Sequence, residues 1–171
     1  NYGSFYRYQT STDIDSGLGE TTSVCVRQTV ENVQKRCPVR IHVRRKGEGR
    51  GLSSAVLLGF QKAEHPVMLC MDADLQHEPE SVPDVAAPVL SGAAEFAVGS
   101  RNVDGGEVAG WTLSRKIISL GATVLARPLT PCTDPMSGFF CTSRTVLSRG
   151  EAACNPMGFK IGLELMVRCR A

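Results

Sequence analysis

The residues best suited to chemistry are three side chains with oxygen ligands, Asp72, Asp74 and Gln76, which follow an apolar stretch ending at Met71. The two carboxylates are spaced i, i+2, so both can face one ion where the chain turns after a strand. Carboxylate oxygens prefer hard divalent cations such as Mg²⁺ or Mn²⁺, which complete their shell with substrate phosphates. We therefore predict a Mg²⁺ or Mn²⁺ site formed by these three residues. The alternative is a loop with two solvated acids, one of which caps the next helix.

An Asp-x-Asp pair at the end of a strand serves two kinds of chemistry. In sugar transfer from a nucleotide-diphosphate donor, a metal bridges the diphosphate and stabilises the leaving group. In phosphoryl transfer of the haloacid-dehalogenase type, the first Asp is the nucleophile. That second motif usually has Thr or Val after the second Asp and lies near the start of its domain. Here Leu75 follows and the motif lies in the middle of the chain, so sugar transfer is favoured and phosphate-ester hydrolysis stays the weaker alternative.

The elements that must position this motif follow from the apolar periodicity of the chain. Strands are predicted at 39–43, 67–71, 96–99 and 139–142, and helices at 22–36, 52–63, 79–90, 111–127 and 162–170. Pro83 and Pro88 predict that the helix at 79–90 is short or irregular. Alternating strands and helices predict an α/β fold, a mostly parallel sheet flanked by helices. Ligands bind such sheets at the carboxyl ends of the strands, which is where Asp72 and Asp74 lie.

Length and composition exclude several classes of protein. The chain has 171 residues, of which 42% are hydrophobic, and this predicts one folded domain over residues 1–171. A net charge of +2 gives no support to a nucleic-acid partner, and no run approaches the roughly 18 apolar residues of a membrane span. Seven cysteines without a CxxC pair favour buried thiols in a reducing compartment, which places the chemistry on the cytosolic side. Because the chain starts without Met, we expect a fragment.

Four blocks of the sequence resemble the dolichyl-phosphate mannosyltransferases, family-2 glycosyltransferases of the GT-A nucleotide-diphospho-sugar transferase fold. The blocks are RGLSSAV at 50–56, MDADLQH at 71–77, DPMSGFF at 134–140 and GFKIGLEL at 158–165. Their order and spacing also fit, so the resemblance runs from about residue 39 to the end. They are more similar to the single-chain form found in yeast and some protists than to the form that depends on small membrane subunits, which implies no obligatory subunit.

The resemblance implies a metal-dependent, inverting transfer of mannose from GDP-mannose to dolichyl phosphate. The product, dolichyl phosphate mannose, serves N-glycosylation, GPI-anchor synthesis and O-mannosylation, and the implied location is the cytosolic face of the endoplasmic reticulum membrane, with the lipid surface as a partner. The acceptor phosphate is already ionised, so a strong base is not needed. The protein must instead hold two anionic groups in line, neutralise them and exclude water.

The resemblance also assigns roles to basic and polar residues. Arg101, which follows a predicted strand, matches an arginine that contacts the acceptor phosphate. Arg115 and Ser119 lie four residues apart on one face of the predicted helix 111–127 and match the remaining phosphate-binding positions. Arginine forks suit phosphate oxygens well, and the alternative for Arg115 is a solvated helix face. We expect Asp74, Arg101 and Arg115 to be the catalytic residues.

Two further blocks contribute substrate-binding candidates by resemblance. The family places Asp134 and Ser137 near the sugar and the acceptor phosphate, although an Asp-Pro before Ser-Gly is ordinarily a turn. Lys160 falls where the family has a cation near the donor diphosphate. A lysine at a helix start is unfavourable for the helix dipole, which favours a functional cation there.

The chain departs from the family at its beginning. The family starts with a strand ending in Pro-x-Tyr-Asn-Glu, which nothing in residues 1–12 supplies, so we expect the first strand to be missing and residues 1–38 to be a divergent nucleotide-binding part. Asp13 and Asp15 align after the family's second strand, with acids that contact guanine or ribose, but Ile14 and Leu18 replace two acids of that pattern.

These replacements predict a poorly active isolated chain that binds GDP-mannose more weakly than micromolar. Two alternatives stay open. One is another polyprenyl-phosphate glycosyltransferase that uses a donor such as UDP-glucose. The other is a catalytically inactive scaffold of the GT-A fold, for which Ile14 and Leu18 are the best support.

Overall fold

A computed structural model describes residues 7–11, 28, 31–36, 39–43, 51–72, 77–100, 128–155 and 160–171. The chain divides into two compact units. The first comprises Asn1–Glu64 with Pro156–Phe159, and the second comprises His65–Asn155 with Lys160–Ala171. Each unit has its own sheet.

The first unit contains a pair of parallel strands and a helix. Strand β1 (Arg7–Ser11) pairs with β2 (Val39–Val43) in parallel register, from Arg7 beside Val39 to Ser11 beside Val43. Helix α1 (Gly51–Lys62) buries Ser53, Ala55, Leu57 and Phe60. Residues 28 and 31–34 are helical, within the helix predicted at 22–36. The sequence did not predict β1, which ends two residues before Asp13, where the alignment places the end of the family's second strand.

The second unit alternates strands and helices. Its elements are β3 (Val67–Cys70), a 3-10 helix at Pro79–Ser81, α2 (Val82–Leu90), β4 (Phe96–Val98), β5 (Phe140–Ser143), α3 (Arg144–Leu147), a 3-10 helix at Glu151–Ala153 and α4 (Ile161–Arg168). Pro79 and Pro83 occupy first turns, where a missing backbone N–H leaves no hydrogen bond unmade. Ser143 caps α3, because its side chain accepts a hydrogen bond from the Val146 N–H at 3.3 Å.

The sheet of the second unit has the strand order β3-β5-β4, with β5 antiparallel to both neighbours. Strands β3 and β4 therefore run in the same direction, with α2 between them in the chain, as the predicted alternation requires. The reversed β5 between them was not predicted, because periodicity carries no information on the direction of a strand. The α/β character of the chain is confirmed.

Helices cover both faces of this sheet. On one face, Cys141 of β5 forms a core with Ala86 and Val89 of α2. On the other face, the buried ring of Phe140 stacks on Phe96 with ring centroids 5.1 Å apart, and Gly162 of α4 packs against it. Burial on both faces explains why β3 reads as the continuous apolar run VMLC.

Most predicted elements agree with the structure to within one or two residues, apart from the split at 79–90. The predicted helix there is a 3-10 turn followed by the nine-residue α2, as expected from Pro83 and Pro88. The predicted helix 111–127 lies outside the described residues. Within the described ranges, no helix combines the length and apolar character needed to cross a bilayer.

Candidate active site

The described residues include four of the predicted site residues: Asp72, Asp134, Ser137 and Lys160. The other predicted site residues lie outside the described ranges, so their roles stay predictions: Asp13, Asp15, Asp74, Gln76, Arg101, Arg115 and Ser119.

Strand register explains why distant parts of the second unit meet at one edge of the sheet. Cys70, Phe140 and Val98 lie side by side at the same end of β3, β5 and β4. Because β5 is antiparallel to its neighbours, its first residue lies beside the last residues of β3 and β4. The chain leaving β3, the chain leaving β4 and the chain entering β5 therefore come together. We call these residues, Asp72, Gly99–Ser100 and Asp134–Phe139, the strand-end cluster.

Ser137 connects two segments of the strand-end cluster by hydrogen bonds, the end of β4 and the segment that enters β5. Its buried hydroxyl donates a hydrogen bond to the Gly99 carbonyl at 2.7 Å and accepts one from the Phe139 N–H at 3.1 Å. The Gly99 N–H in turn donates to the Phe139 carbonyl at 2.8 Å. The described contacts of Ser137 are with the main chain, and its predicted role in substrate binding stays a prediction. These contacts fix the position of Ser100, the residue that precedes Arg101.

Close packing around Phe139 leaves no space for a side chain at residue 99. A Cβ added to Gly99 would collide with the ring of Phe139. That ring is buried, and the ring of His77 lies on it with a centroid distance of 5.1 Å. Phe139 is thus held between the end of β4 and the segment that follows the Asp72 motif.

Asp72 lies at the exit of β3, directly against Gly138. A Cβ added to Gly138 would lie 3.0 Å from Oδ2 of Asp72 and 3.5 Å from its carboxylate carbon. Burial, followed by the negative charge of Asp72, raises the pKa of the Cys70 thiol to about 12. The chain therefore places the negative charge of Asp72 at the end of β3, and the missing side chain of Gly138 leaves space beside it.

Of the three predicted metal ligands, Asp72 lies in the described ranges and Asp74 and Gln76 lie outside them. Within the described ranges, no three His, Cys, Asp or Glu side chains are grouped as ligands for a metal ion. Asp72 is the one predicted ligand that these ranges contain, and it offers hard carboxylate oxygens beside a glycine that takes up no side-chain space. This chemistry fits a divalent cation.

Asp134 begins a turn that orients its carboxylate. The Ser137 N–H donates to the Asp134 carbonyl at 3.3 Å, and the buried Pro135 between them favours this turn. Ser100 Oγ donates a hydrogen bond to Oδ2 of Asp134 at 3.2 Å. No role was predicted for Ser100, although a Gly-Ser pair directly after a predicted strand could have indicated a site residue.

A cavity of about 530 Å³ opens beside this pair of residues. Its lining includes the apolar residues Phe96, Val98 and Met166 together with Ser100 and Asp134. An oriented carboxylate and a hydroxyl that line a cavity are suited to binding the hydroxyl groups of a small polar ligand.

The start of α4 borders the strand-end cluster. Lys160 is exposed and immediately precedes this helix. A Cβ on Gly162 would be 3.4 Å from the Ser137 carbonyl oxygen, so the first turn of α4 lies against the cluster. Glu164 has a structural contact, because its Oε1 accepts a hydrogen bond from the Asn155 N–H at 2.7 Å.

An acidic site at the strand ends of an α/β sheet is typical of glycosyltransferases, and comparison with known families agrees. Residues 26–150 match the family model Glycosyl transferase family 2, and the chain belongs to this family. Membership confirms the predicted GT-A fold. It also supports the preference for sugar transfer over the haloacid-dehalogenase chemistry.

The comparison with curated proteins confirms the finer resemblance. The chain is 48% identical over 131 residues to a dolichol-phosphate mannosyltransferase of Mycosarcoma maydis, which covers 76% of this chain and 44% of that protein. It is 46% identical over 136 residues to one of Saccharomyces cerevisiae, with 76% and 48% covered. It is 40% identical over 145 residues to one of Pyrococcus furiosus, with 82% and 40% covered. The chain thus spans less than half the length of these relatives.

Proposed function

We propose that this chain forms part of the catalytic domain of an enzyme that transfers mannose from GDP-mannose to dolichyl phosphate, with inversion at the sugar carbon. The observation that carries the proposal is the strand-end cluster, which joins Asp72 to Asp134 in a chain 40–48% identical to three dolichol-phosphate mannosyltransferases. Dolichyl phosphate is a membrane lipid. The proposed location is the cytosolic face of the endoplasmic reticulum, and the similarity to a yeast protein supports a form without obligatory subunits.

Family 2 glycosyltransferases generally use a divalent metal ion. We assign Asp72, Asp74 and Gln76 as the residues that would hold Mg²⁺ or Mn²⁺. The position of Asp72 at the exit of β3 beside Gly138 supports this assignment. A bound cation supplies positive charge to the diphosphate leaving group.

The chain's own residues hold the reacting groups in line. Arg101, Arg115 and Ser119 bind the acceptor phosphate, and the position of Ser100 in the strand-end cluster supports this role for Arg101, which follows it directly. Asp134, oriented by Ser100, accepts hydrogen bonds from sugar hydroxyls. No proton has to be removed from the acceptor, because a phosphate is ionised at neutral pH. The residues therefore act by orientation and charge neutralisation.

Three further predicted residues are assigned to the donor. Lys160, at the start of α4, neutralises the donor diphosphate, and its exposure at the border of the cluster supports this role. Asp13 and Asp15 contact the nucleotide. Ile14 and Leu18 weaken this contact, and this is the reason for the expected low affinity for GDP-mannose.

The test is transfer of labelled mannose from saturating GDP-mannose to dolichyl phosphate in detergent micelles with Mg²⁺ or Mn²⁺. We expect measurable transfer that is lost in Asp74→Ala and kept in Asp84→Ala, an exposed acid on α2. Normal transfer by Asp74→Ala would refute the metal site. Stronger competition by UDP-glucose than by unlabelled GDP-mannose would instead favour the alternative donor.

A second measurement separates weak donor binding from an inactive scaffold. The double substitution Ile14→Asp and Leu18→Asp restores the acids of the family pattern. We expect it to tighten GDP-mannose binding about tenfold or more, because hydrogen bonds to charged groups contribute about 1.5–3 kcal/mol. A folded variant that binds no nucleotide sugar and transfers no mannose would favour the scaffold.

A further inference from the structure

We infer that Gly138 is a positioning residue for Asp72: its missing side chain keeps the space in which the Asp72 carboxylate points its oxygens toward a divalent cation. This inference rests on the proposed function, because that function assigns Asp72 as a ligand of the divalent cation. None of the roles assigned above to DPMSGFF depends on its glycine.

Crowding at Gly138 is specific to one neighbour. The three atoms nearest to an added Cβ are all in the Asp72 carboxylate, at 3.0, 3.5 and 3.6 Å. A contact of 3.0 Å is tighter than real Cβ atoms normally make, so an alanine would force a shift of a few tenths of an ångström. Either the carboxylate or the backbone at residue 138 must move.

The backbone at residue 138 is held on both sides. Ser137 is hydrogen bonded to Gly99 and to Phe139, and Phe139 exchanges a further hydrogen bond with Gly99. The ring of Phe139 is buried against His77. Because hydrogen bonds hold the residues on both sides of Gly138, its backbone cannot shift away from an added methyl group. The Asp72 carboxylate is therefore the group that is displaced.

Backbone conformation does not explain the glycine. Among the described glycines, Gly51 and Gly92 have positive φ angles, and Gly138 does not. Its conformation is therefore open to alanine, and space for Asp72 is the remaining reason for a glycine here. Because Mg²⁺ demands nearly ideal geometry at about 2.0–2.1 Å, displacing one ligand by a few tenths of an ångström weakens its binding.

The experiment is a double-substitution cycle on the whole chain, with Gly138→Ala, Asp72→Ala and the combination of both. We expect Gly138→Ala to lower Mn²⁺ affinity about tenfold, measured by electron paramagnetic resonance of free Mn²⁺, as is usual when a group that orients a ligand is changed. It should also lower the melting temperature measured without metal. In the Asp72→Ala background the loss of melting temperature should vanish, because the crowded carboxylate is gone.

Gly162→Ala is the matched control. It adds the same methyl group beside Ser137 of the same cluster, with its nearest contacts at an ordinary 3.4 Å. It should leave Mn²⁺ affinity unchanged. Because Gly162 lies within α4, the alanine should preserve or raise the melting temperature.

Several results would overturn the inference. These are an unchanged Mn²⁺ affinity in Gly138→Ala, an equal loss of melting temperature with and without Asp72, or a wild-type chain that binds no Mn²⁺. If Gly138→Ala does not fold, a folded double variant supports the inference and an unfolded one refutes it. Absence of mannosyl transfer with the expected Mn²⁺ and melting results would refute the proposed function alone.

Discussion

The exit of β3 and the turn before β5 each bring a carboxylate to the strand-end cluster, but in different surroundings. Asp72 lies against Gly138, where the chain keeps space open. Asp134 accepts a hydrogen bond from Ser100 at 3.2 Å and begins a turn closed by Ser137. Free space around a carboxylate allows its oxygens to take the defined distances and directions that a divalent cation requires of its ligands. A hydroxyl partner suits a carboxylate that makes directed hydrogen bonds. The surroundings of the two carboxylates therefore suit them to different roles, as proposed above.

The sharpest test of this difference is to remove each charge while keeping the shape. Asp72→Asn should lower mannosyl transfer about 10²–10³-fold, the range seen when preorganised electrostatic stabilisation is lost, and should abolish the response to Mn²⁺. Asp134→Asn should have a smaller effect and retain the Mn²⁺ response. Titration of transfer rate against Mn²⁺ concentration measures both, with Asp84→Asn on α2 as the control. Identical metal responses in the two variants would remove the distinction between the carboxylates.

The second prediction concerns Ser137, the hydroxyl that connects the turn before β5 to the end of β4. Ser137→Ala leaves the Gly99 carbonyl and the Phe139 N–H without this partner in a buried place. We expect a loss of about 1–3 kcal/mol in the free energy of unfolding, measured with urea. Ser148→Ala is the control, because the Ser148 hydroxyl also donates to a carbonyl but on an exposed surface. A loss no larger than that of Ser148→Ala would show that Ser137 does not hold the cluster.

The sequence predicted the elements of the second unit well, and for physical reasons. Strand β3 is a short apolar run because helices cover both faces of its sheet, and the prolines in 79–90 marked an irregular helix. Strand β1 was missed because RYQTS has no clear apolar alternation. The reversed direction of β5 was missed because it depends on the connection from β4 and not on the strand's own residues.

The candidate site was predictable only where chemistry shows in residue type. Acids after an apolar strand identified Asp72, and the DPMSGFF block identified Asp134 and Ser137. Gly138 has no side chain whose chemistry a sequence could display, and Ser100 offered only its place directly after a predicted strand. Their importance comes from contacts across strands, a hydroxyl against Asp134 and an absent side chain against Asp72.

The third prediction tests whether the Ser100 hydroxyl orients the Asp134 carboxylate. Ser100→Ala removes the hydrogen bond that orients this carboxylate but leaves both charges of the cluster. We expect a roughly fivefold loss in kcat for mannosyl transfer, the worth of one hydrogen bond, with unchanged Mn²⁺ affinity. Ser100→Thr keeps the hydroxyl and should recover part of the rate, whereas Ser91→Ala, an exposed serine outside the cluster, should have no effect. Weaker Mn²⁺ binding in Ser100→Ala would mean that the two carboxylates form one site.

The last prediction uses pH to detect the charge at the exit of β3. Burial and, to a smaller extent, the negative charge of Asp72 together raise the pKa of Cys70 from 9.0 to about 12. Above about pH 9 the unfolded chain loses this proton while the folded chain keeps it, so stability falls as pH rises through that window. Asp72→Asn removes one cause and lowers the pKa of folded Cys70, so the decline should end at a lower pH than in the wild type.

Urea unfolding at several values between about pH 9 and about pH 12 measures where this decline ends, because folded Cys70 ionises only in the upper part of that range. Burial also raises the pKa values of Cys141 and Cys154 to about 11, but these thiols are unchanged by the substitution and cancel in the comparison. Asp84→Asn is the control, because Asp84 is an exposed acid on α2 and is not among the charges that raise the Cys70 pKa. The same end point in wild type and Asp72→Asn would show that the Asp72 charge does not reach Cys70. An equal shift of the end point in Asp72→Asn and Asp84→Asn would show that the shift is not specific to the carboxylate beside Cys70.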